Sequence, residues 1–494
     1  MLGTLCAIVC FAGVASAEAQ DGRALAQEWC AACHLFPEPR LLDKRTWTEY
    51  VLPDMGARLG FHVFRGQPFQ ANPNAPVGTY RTEPLIAQFE WDRIVEWYET
   101  TAPAQLPLPT AQIPTALNLF DIEMPKRQAL DFPTNTAIHI DEATRQILVG
   151  DSYDVDLDYY SDDLRQLGEI RTGGTVSRIM AAPGGGYLAT TMGGTIGQSE
   201  APQGMLIRVD EKAPFLTRLA RQLHRPVDLA FGDFNDDSLT DYVVAEFGAY
   251  TGKLSLYLGH SDGTLQRTVL LDEAGAIAVS VVGRDLYALI AQGNERIIRL
   301  DDFASGQPGK LQTIARFAPS YGSTSLRTHD FDGDGVMDLI YTAGDNADIS
   351  AIFKPYHGIY LFAGDEDGTF NKAGFFPLDG AYGTVAGDFD QDGDIDIGAV
   401  SYFPRTDRDL DKGSFVYLEN VAGRFEPRYV AGIGDLGRFA AITAGDVDGD
   451  GDQDIALSNL AFGPVGPMTI SPERRDQWIN GARFVLLRNT LFQD

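Results

Sequence analysis

Cys30, Cys33 and His34 stand together in the run Trp29-Cys30-Ala31-Ala32-Cys33-His34. Two thiols three positions apart can each add to a vinyl group of one haem. A histidine directly after the second then falls beneath the iron as its proximal ligand. The expected cofactor is therefore one covalent haem c. Two rival chemistries use similar residues. A thioredoxin-like redox pair needs a strand before the motif and a βαβ frame around it. Here the motif instead follows a short helical stretch, with Ala24, Leu25, Glu28 and Trp29 at helical spacing. A zinc site needs more Cys or His than this stretch offers. Between residues 35 and 105, Met55 is the only Met and His62 the only other His. Met55 lies in VLPDMGARLG, where Pro53 and Gly56 are expected to break the helix and turn the side chain inward. It is the expected distal ligand, with His62 or an open position as alternatives.

A second set of residues repeats along the chain. Four segments, GDFNDDSLTDYVV, HDFDGDGVMDLIY, GDFDQDGDIDIGAV and GDVDGDGDQDIAL, share the spacing D-x-[DN]-x-D-x-x-x-D. The first supplies Asp233, Asn235, Asp237 and Asp241, and the second Asp330, Asp332, Asp334 and Asp338. The third supplies Asp388, Asp390, Asp392 and Asp396, and the fourth Asp446, Asp448, Asp450 and Asp454. Alternate side chains of a tight loop converge on one point. An all-oxygen shell of that kind suits Ca²⁺, up to four ions in all. An EF-hand would need Glu at position 12 between helices. That position holds Val244, Tyr341, Ala399 or Leu457, each in an apolar β run, so hairpin loops are expected. Loop one has Ser238 at position six, where positive φ is favoured and Gly is the usual residue. The expected role of the ions is to neutralise crowded carboxylates and pin hairpins.

These residues need elements to hold them. Residues 18–103 read as a small all-α domain. Helical stretches run from about Arg45 to Val51 and from Ile86 to Tyr98, the latter with Ile86, Phe89, Ile94 and Trp97 on one face. A proline-rich linker, 104–116, follows. From 117 to 494 short β runs alternate with Gly, Asp and Asn turns. The Asp loops begin at 233, 330, 388 and 446, so the first spacing is nearly twice the others. A blade without a metal loop is expected between, around Ala278 to Phe317. The β region suits a propeller, expected to have seven blades starting near 133, 176, 226, 276, 324, 382 and 438, with six or eight as alternatives. The strand ALNLFDIEM is expected to pair with FVLLRNTLF and close the ring.

The bulk properties set limits. Length 494 exceeds a single core. The 69 Asp and Glu against 39 Lys and Arg give a formal net charge of −30, which disfavours nucleic acid and anionic membrane surfaces as partners. MLGTLCAIVCFAGVASA has the apolar run and small-x-small end of a cleavable export signal, residues 1–17, although no Lys or Arg precedes the run. Cleavage after Ala17 would remove Cys6 and Cys10 and commit the remaining two cysteines to one site. No later stretch is apolar enough to span a bilayer.

CAACHLFPEPRLLDKRTWTEYVLPDMGARLG, together with WYETTAP, resembles the monohaem cytochrome c domains fused to bacterial FG-GAP, or VCBS, repeat proteins. The Asp loops resemble the calcium loops of integrin-type FG-GAP propellers. The resemblance implies an electron-transfer haem and names no substrate. The expected function is a periplasmic or secreted one-electron carrier that meets a redox partner protein, its propeller docking that partner, another protein or a carbohydrate. Two alternatives stay open: a haem-linked propeller dehydrogenase of a sugar or alcohol, and an adhesion or scaffold module. An enzyme would need a base or cofactor in a pocket, and His139, His224, His260, His329 and His357 are scattered along the chain.

Overall fold

The computed structural model describes residues 21–109, 115–126, 132–194, 200–210, 213–304 and 310–492. The expected export signal lies outside these residues.

Seven blades form a closed ring. Blade 1 spans Asn135–Asp141 to Gln166–Arg171, and blade 2 spans Val176–Ala181 to Ala213–Leu223. Blade 3 runs from Pro226–Gly232 to Leu265–Leu271, blade 4 from Ala276–Val282 to Leu311–Arg316, and blade 5 from Ser323–His329 to Phe370–Pro377. Blade 6 runs from Ala381–Gly387 to Arg424–Tyr429. Blade 7 holds Phe439–Gly445, Asp454–Asn459 and Phe484–Asn489. The fourth strand of blade 7 comes from the front of the β region. Phe120–Glu123 pairs antiparallel with Phe484–Asn489, Leu486 opposite Glu123 and Asn489 opposite Phe120. The expected ring closure and a fourth blade without an Asp loop are found, and the blade starts hold to within two residues.

Burial explains the order of strands within a blade. The second strands Asp241–Glu246, Asp338–Ala343, Asp396–Ser401 and Asp454–Asn459 are buried at every residue, because a neighbouring blade covers each face. The outermost strand of blade 3, Leu265–Leu271, is largely exposed at the rim. Among the described residues seven apolar clusters fill the seven seams. At the closing seam Ile138, Ile147 and Val149 of blade 1 meet Ala456, Phe484 and Leu486 of blade 7. Each fully buried Leu, Ile or Phe contributes about 1.5–3 kcal/mol relative to exposure.

Strands in each blade alternate in direction. First-to-second hairpins therefore lie on one face of the ring, and second-to-third connections on the other. All four Asp loops are first-to-second hairpins.

The helical segment packs Leu25, Trp47, Leu52, Trp91, Ile94 and Tyr98 into a core of its own. Its first helix, Gly22–Trp29, crosses its last, Gln88–Thr101, at Gly22. A Cβ there would come 2.3 Å from the Arg93 carbonyl oxygen, so only Gly permits this approach. Three expectations are corrected here. The middle helix does not stop at Val51. A π-helical turn, Trp47–Val51, absorbs the missing N–H of Pro53, and helix continues as Leu52–Arg58 through Gly56. In the last helix the buried face is Trp91, Ile94 and Tyr98, and Phe89 is 60% exposed. The end of the expected linker is also structured: Thr115–Ala116 adds to the rim of blade 6, parallel to Arg428 and Tyr429.

The helical segment rests on the face opposite the Asp loops. Tyr356, in the second-to-third connection of blade 5, donates its hydroxyl to the Leu41 carbonyl at 2.8 Å, and Ile352 packs against the helical core.

Candidate functional site

Asp21 caps the first helix by accepting the N–H of Ala24 at 2.7 Å. The helix passes directly into one 3₁₀ turn, Cys30–Ala32, and Cys33 and His34 follow. The cysteines thus leave a helix end, not a strand, and among the described residues no βαβ frame of the thioredoxin kind surrounds them. Burial pushes the Cys30 thiol up to about 11, partly opposed by a hydrogen bond with Tyr98. Redox-active cysteines have depressed values instead. Cys33 is exposed.

His34 Nδ1 lies 2.9 Å from the Leu35 carbonyl oxygen. With Nδ1 donating there, Nε2 keeps its lone pair for a metal. Burial lowers the His34 pKa, favouring the neutral ring that can ligate. Met55 sits half-buried on Leu52–Arg58 and packs against the same core as Trp29, Cys30 and Phe36. His62 is exposed, and its Nε2 lies 2.6 Å from the Arg81 carbonyl oxygen, a loop-closing contact. The residues therefore fit a covalent haem. Cys30 and Met55 pack against one small core, Cys33 and His34 follow Cys30 at its edge with a ring nitrogen of His34 left for a metal, and His62 is turned to another task.

Sequence reasoning missed Tyr98, whose hydroxyl donates to the Pro37 carbonyl at 2.8 Å beside Cys30. It also missed a polar group on the Met55 helix. Arg58 Nε holds Asp54 at 2.8 Å, and the Tyr80 hydroxyl donates to the same carboxylate at 3.1 Å. The i,i+4 spacing of Asp54 and Arg58 was the available signal. The five propeller histidines stay apart. His139 is in blade 1, its pKa pushed down to about 4 by burial, while His224 meets Thr251 and His357 is buried in blade 5.

The Asp loops share one backbone form. Positions four and six are left-handed in all of them: Asp236 and Ser238, Gly333 and Gly335, Gln391 and Gly393, Gly449 and Gly451. Ser238, at φ 67°, thus takes the conformation that Gly takes elsewhere. The first Asp of each loop accepts the position-six N–H, at 2.7 Å for Asp233, 2.9 Å for Asp330, and 3.1 Å for Asp388 and Asp446. Carboxylate oxygens of Asp330, Asp332 and Asp338 come within 4.8 Å of one another, as do those of Asp388, Asp390 and Asp392 and those of Asp446, Asp448 and Asp450. Among the described residues, loop one makes no such group.

The ninth-position aspartates have a further role that spacing did not reveal. Asp241, Asp338, Asp396 and Asp454 are buried, and Oδ1 of each accepts a backbone N–H at 2.8 Å near the end of the third strand, from Gly259, Gly364, Asn420 and Asn489. In loops one, two and four Oδ2 also accepts the position-two N–H, at 2.9–3.1 Å. Each carboxylate is thus a clasp inside its own blade. Burial pushes Asp396 and Asp454 up to about 7.

No protein-family profile and no curated protein matches the chain. Among solved structures the chain is similar to a streptogramin B lyase, at 12% identity over 75% of this chain and 98% of that one, with a TM-score of 0.49. It is also similar to hydrazine synthase of Kuenenia stuttgartiensis, at 10% identity over 68% and 95%, with a TM-score of 0.46. A third is the calcium-binding protein regucalcin of Agrobacterium tumefaciens, at 15% identity over 60% and 94%, with a TM-score of 0.37. None of these likenesses carries chemistry to this chain. The strand pairings themselves define its class: a seven-bladed β-propeller, preceded by a helical segment that carries Cys30, Cys33 and His34.

Proposed function

We propose that this chain is an exported, periplasmic or secreted c-type cytochrome of the FG-GAP/VCBS kind, a one-electron carrier whose calcium-pinned propeller docks a redox partner. The observation that carries the reading is the placement of Cys30, Cys33, His34 and Met55 on one small helical segment. Cys30 and Cys33 leave the end of one helix, His34 has Nδ1 engaged by the Leu35 carbonyl, and Met55 packs against the same cluster as Cys30. Bound there, a haem supplies reversible one-electron transfer. Cys30 and Cys33 would hold it by thioethers, and His34 Nε2 and Met55 would serve as iron ligands. Tyr98 and Trp47, both buried with ring centroids 4.4 Å apart and planes tilted by 41°, wall the core behind Cys30. The propeller contributes a rigid platform, and calcium at its loops is structural. The Cys30→Ala/Cys33→Ala double variant tests the reading. It should yield folded protein that retains no haem after acid–acetone extraction, whereas the parent chain retains one equivalent. Full retention by the variant overturns the assignment.

A further inference from the structure

Blade 1 has no Asp loop, yet it gathers three carboxylates on the face that meets blade 7. Asp156 and Asp158 project from the same side of strand Asp156–Ser161, and Glu169 is paired directly across from Asp158 on the neighbouring strand. Carboxylate oxygens of the three lie within 4.8 Å of one another. Two members are buried, and the third, Glu169, opens to solvent. Tyr160, next on the same side of the strand, packs on Phe484 of blade 7 at 5.0 Å, which places the group at the seam where the ring closes.

Arg483 of blade 7 brings one positive charge to the two aspartates. It pairs with Asp158 and also lies 3.6 Å from Asp154. Asp158 is further held by Gln166 at 2.7 Å. Asp156 is different. It is 4% exposed, and its Oδ1 is buried with no hydrogen-bond partner. A buried carboxylate oxygen left without a donor is costly and calls for a ligand of positive charge.

We propose that Asp156, Asp158 and Glu169 bind one hard divalent cation, of the calcium or manganese kind, at the seam between blades 1 and 7. The site is distinct from the four Asp loops. It lies at the start of a third strand, towards the face that carries the helical segment, whereas the loops occupy the opposite face. Its ligands are all carboxylate oxygens, which selects hard ions over zinc or copper. Two adjacent strands present them, so little order is lost on binding. The exposed Glu169 side gives the ion an entry path and room for water ligands. A bound ion holds strand Asp156–Ser161 in the position from which Asp158 grips Arg483, and so stiffens the closure of the ring.

Crystals of the full chain soaked in manganese chloride test the proposal without any variant. An anomalous peak among Asp156, Asp158 and Glu169 is expected. Peaks at the Asp loops with none at this seam overturn it. Equilibrium dialysis against calcium gives a second reading, using Glu169→Gln because Glu169 is exposed and the variant should fold. It should bind one equivalent fewer than the parent chain, and the same loss should add to that of Asp332→Asn in the double variant. Unchanged stoichiometry and affinity in Glu169→Gln overturn the proposal. So does a Glu169→Gln loss that disappears when Asp332 is already changed, because the two would then share one site.

Discussion

Asp338→Ala separates the two roles of the Asp loops. Asp338 is fully buried and accepts the Phe331 N–H at 2.9 Å and the Gly364 N–H at 2.8 Å, so the change leaves two buried donors unmet. Each such loss costs about 1–3 kcal/mol. Relief of repulsion from Asp330 and Asp332 offsets part of this, leaving about 2–4 kcal/mol. A β domain of about 375 residues unfolds with an entropy near 0.8 kcal/mol/K, so the melting temperature should fall by about 3–5 °C. The fall should persist in EDTA, because the clasp is a set of hydrogen bonds and needs no ion. Asp334→Asn is the control. Asp334 is exposed and accepts the Val336 N–H at 2.7 Å, which an amide oxygen can also accept. That variant should melt like the parent in EDTA and lose only part of the increment that calcium adds by mass action. Differential scanning calorimetry with and without calcium reads both. If Asp338→Ala matches the parent in EDTA, the clasp reasoning is wrong.

Met55→Ala should open the sixth iron position, lower the reduction potential and let the ferrous protein bind carbon monoxide, which the parent should bind poorly. Rapid and complete binding by the parent would remove Met55 as ligand. Stability should also depend on pH in a definite direction. Asp454 and Asp396 rise to about 7 and Asp156 to about 6 in the folded chain, each chiefly through burial, against about 3.9 unfolded. The folded state therefore binds more protons. Its advantage is full below about pH 4 and is lost as pH rises through 6 and 7. In EDTA the propeller should melt lower at pH 8 than at pH 5, and calcium should shrink the difference. A melting temperature that rises over this interval in EDTA would contradict these assignments.

The propeller was legible because its signals are local and repeated. Asp233, Asp330, Asp388 and Asp446 mark the same hairpin in four blades, and a doubled spacing exposed the blade without one. The first and last strands could be joined because each would otherwise be an open edge. What escaped depends on contacts across the chain. The ninth aspartates read as metal ligands, since their backbone partners lie 18 to 35 residues onward. The helix Pro472–Ile479 was missed although Ser471 and Pro472 mark its start. It is a single polar insertion in a blade of strands. Asp156, Asp158 and Glu169 share no loop motif, and only the pairing of two strands brings them together. In the helical segment Phe89 was placed inside by its period alone. The true inward face was set by Trp91 and Tyr98, which meet Phe61 and Trp47 from other elements.

The intact mass of the protein, produced with the machinery that attaches haem to c-type cytochromes, tests the central claim most directly. The expected mass is that of the chain from residue 18 onward plus one haem, with no free thiol on Cys30 or Cys33. A mass equal to the chain alone, with both cysteines alkylated by iodoacetamide or joined in a disulfide, would contradict it.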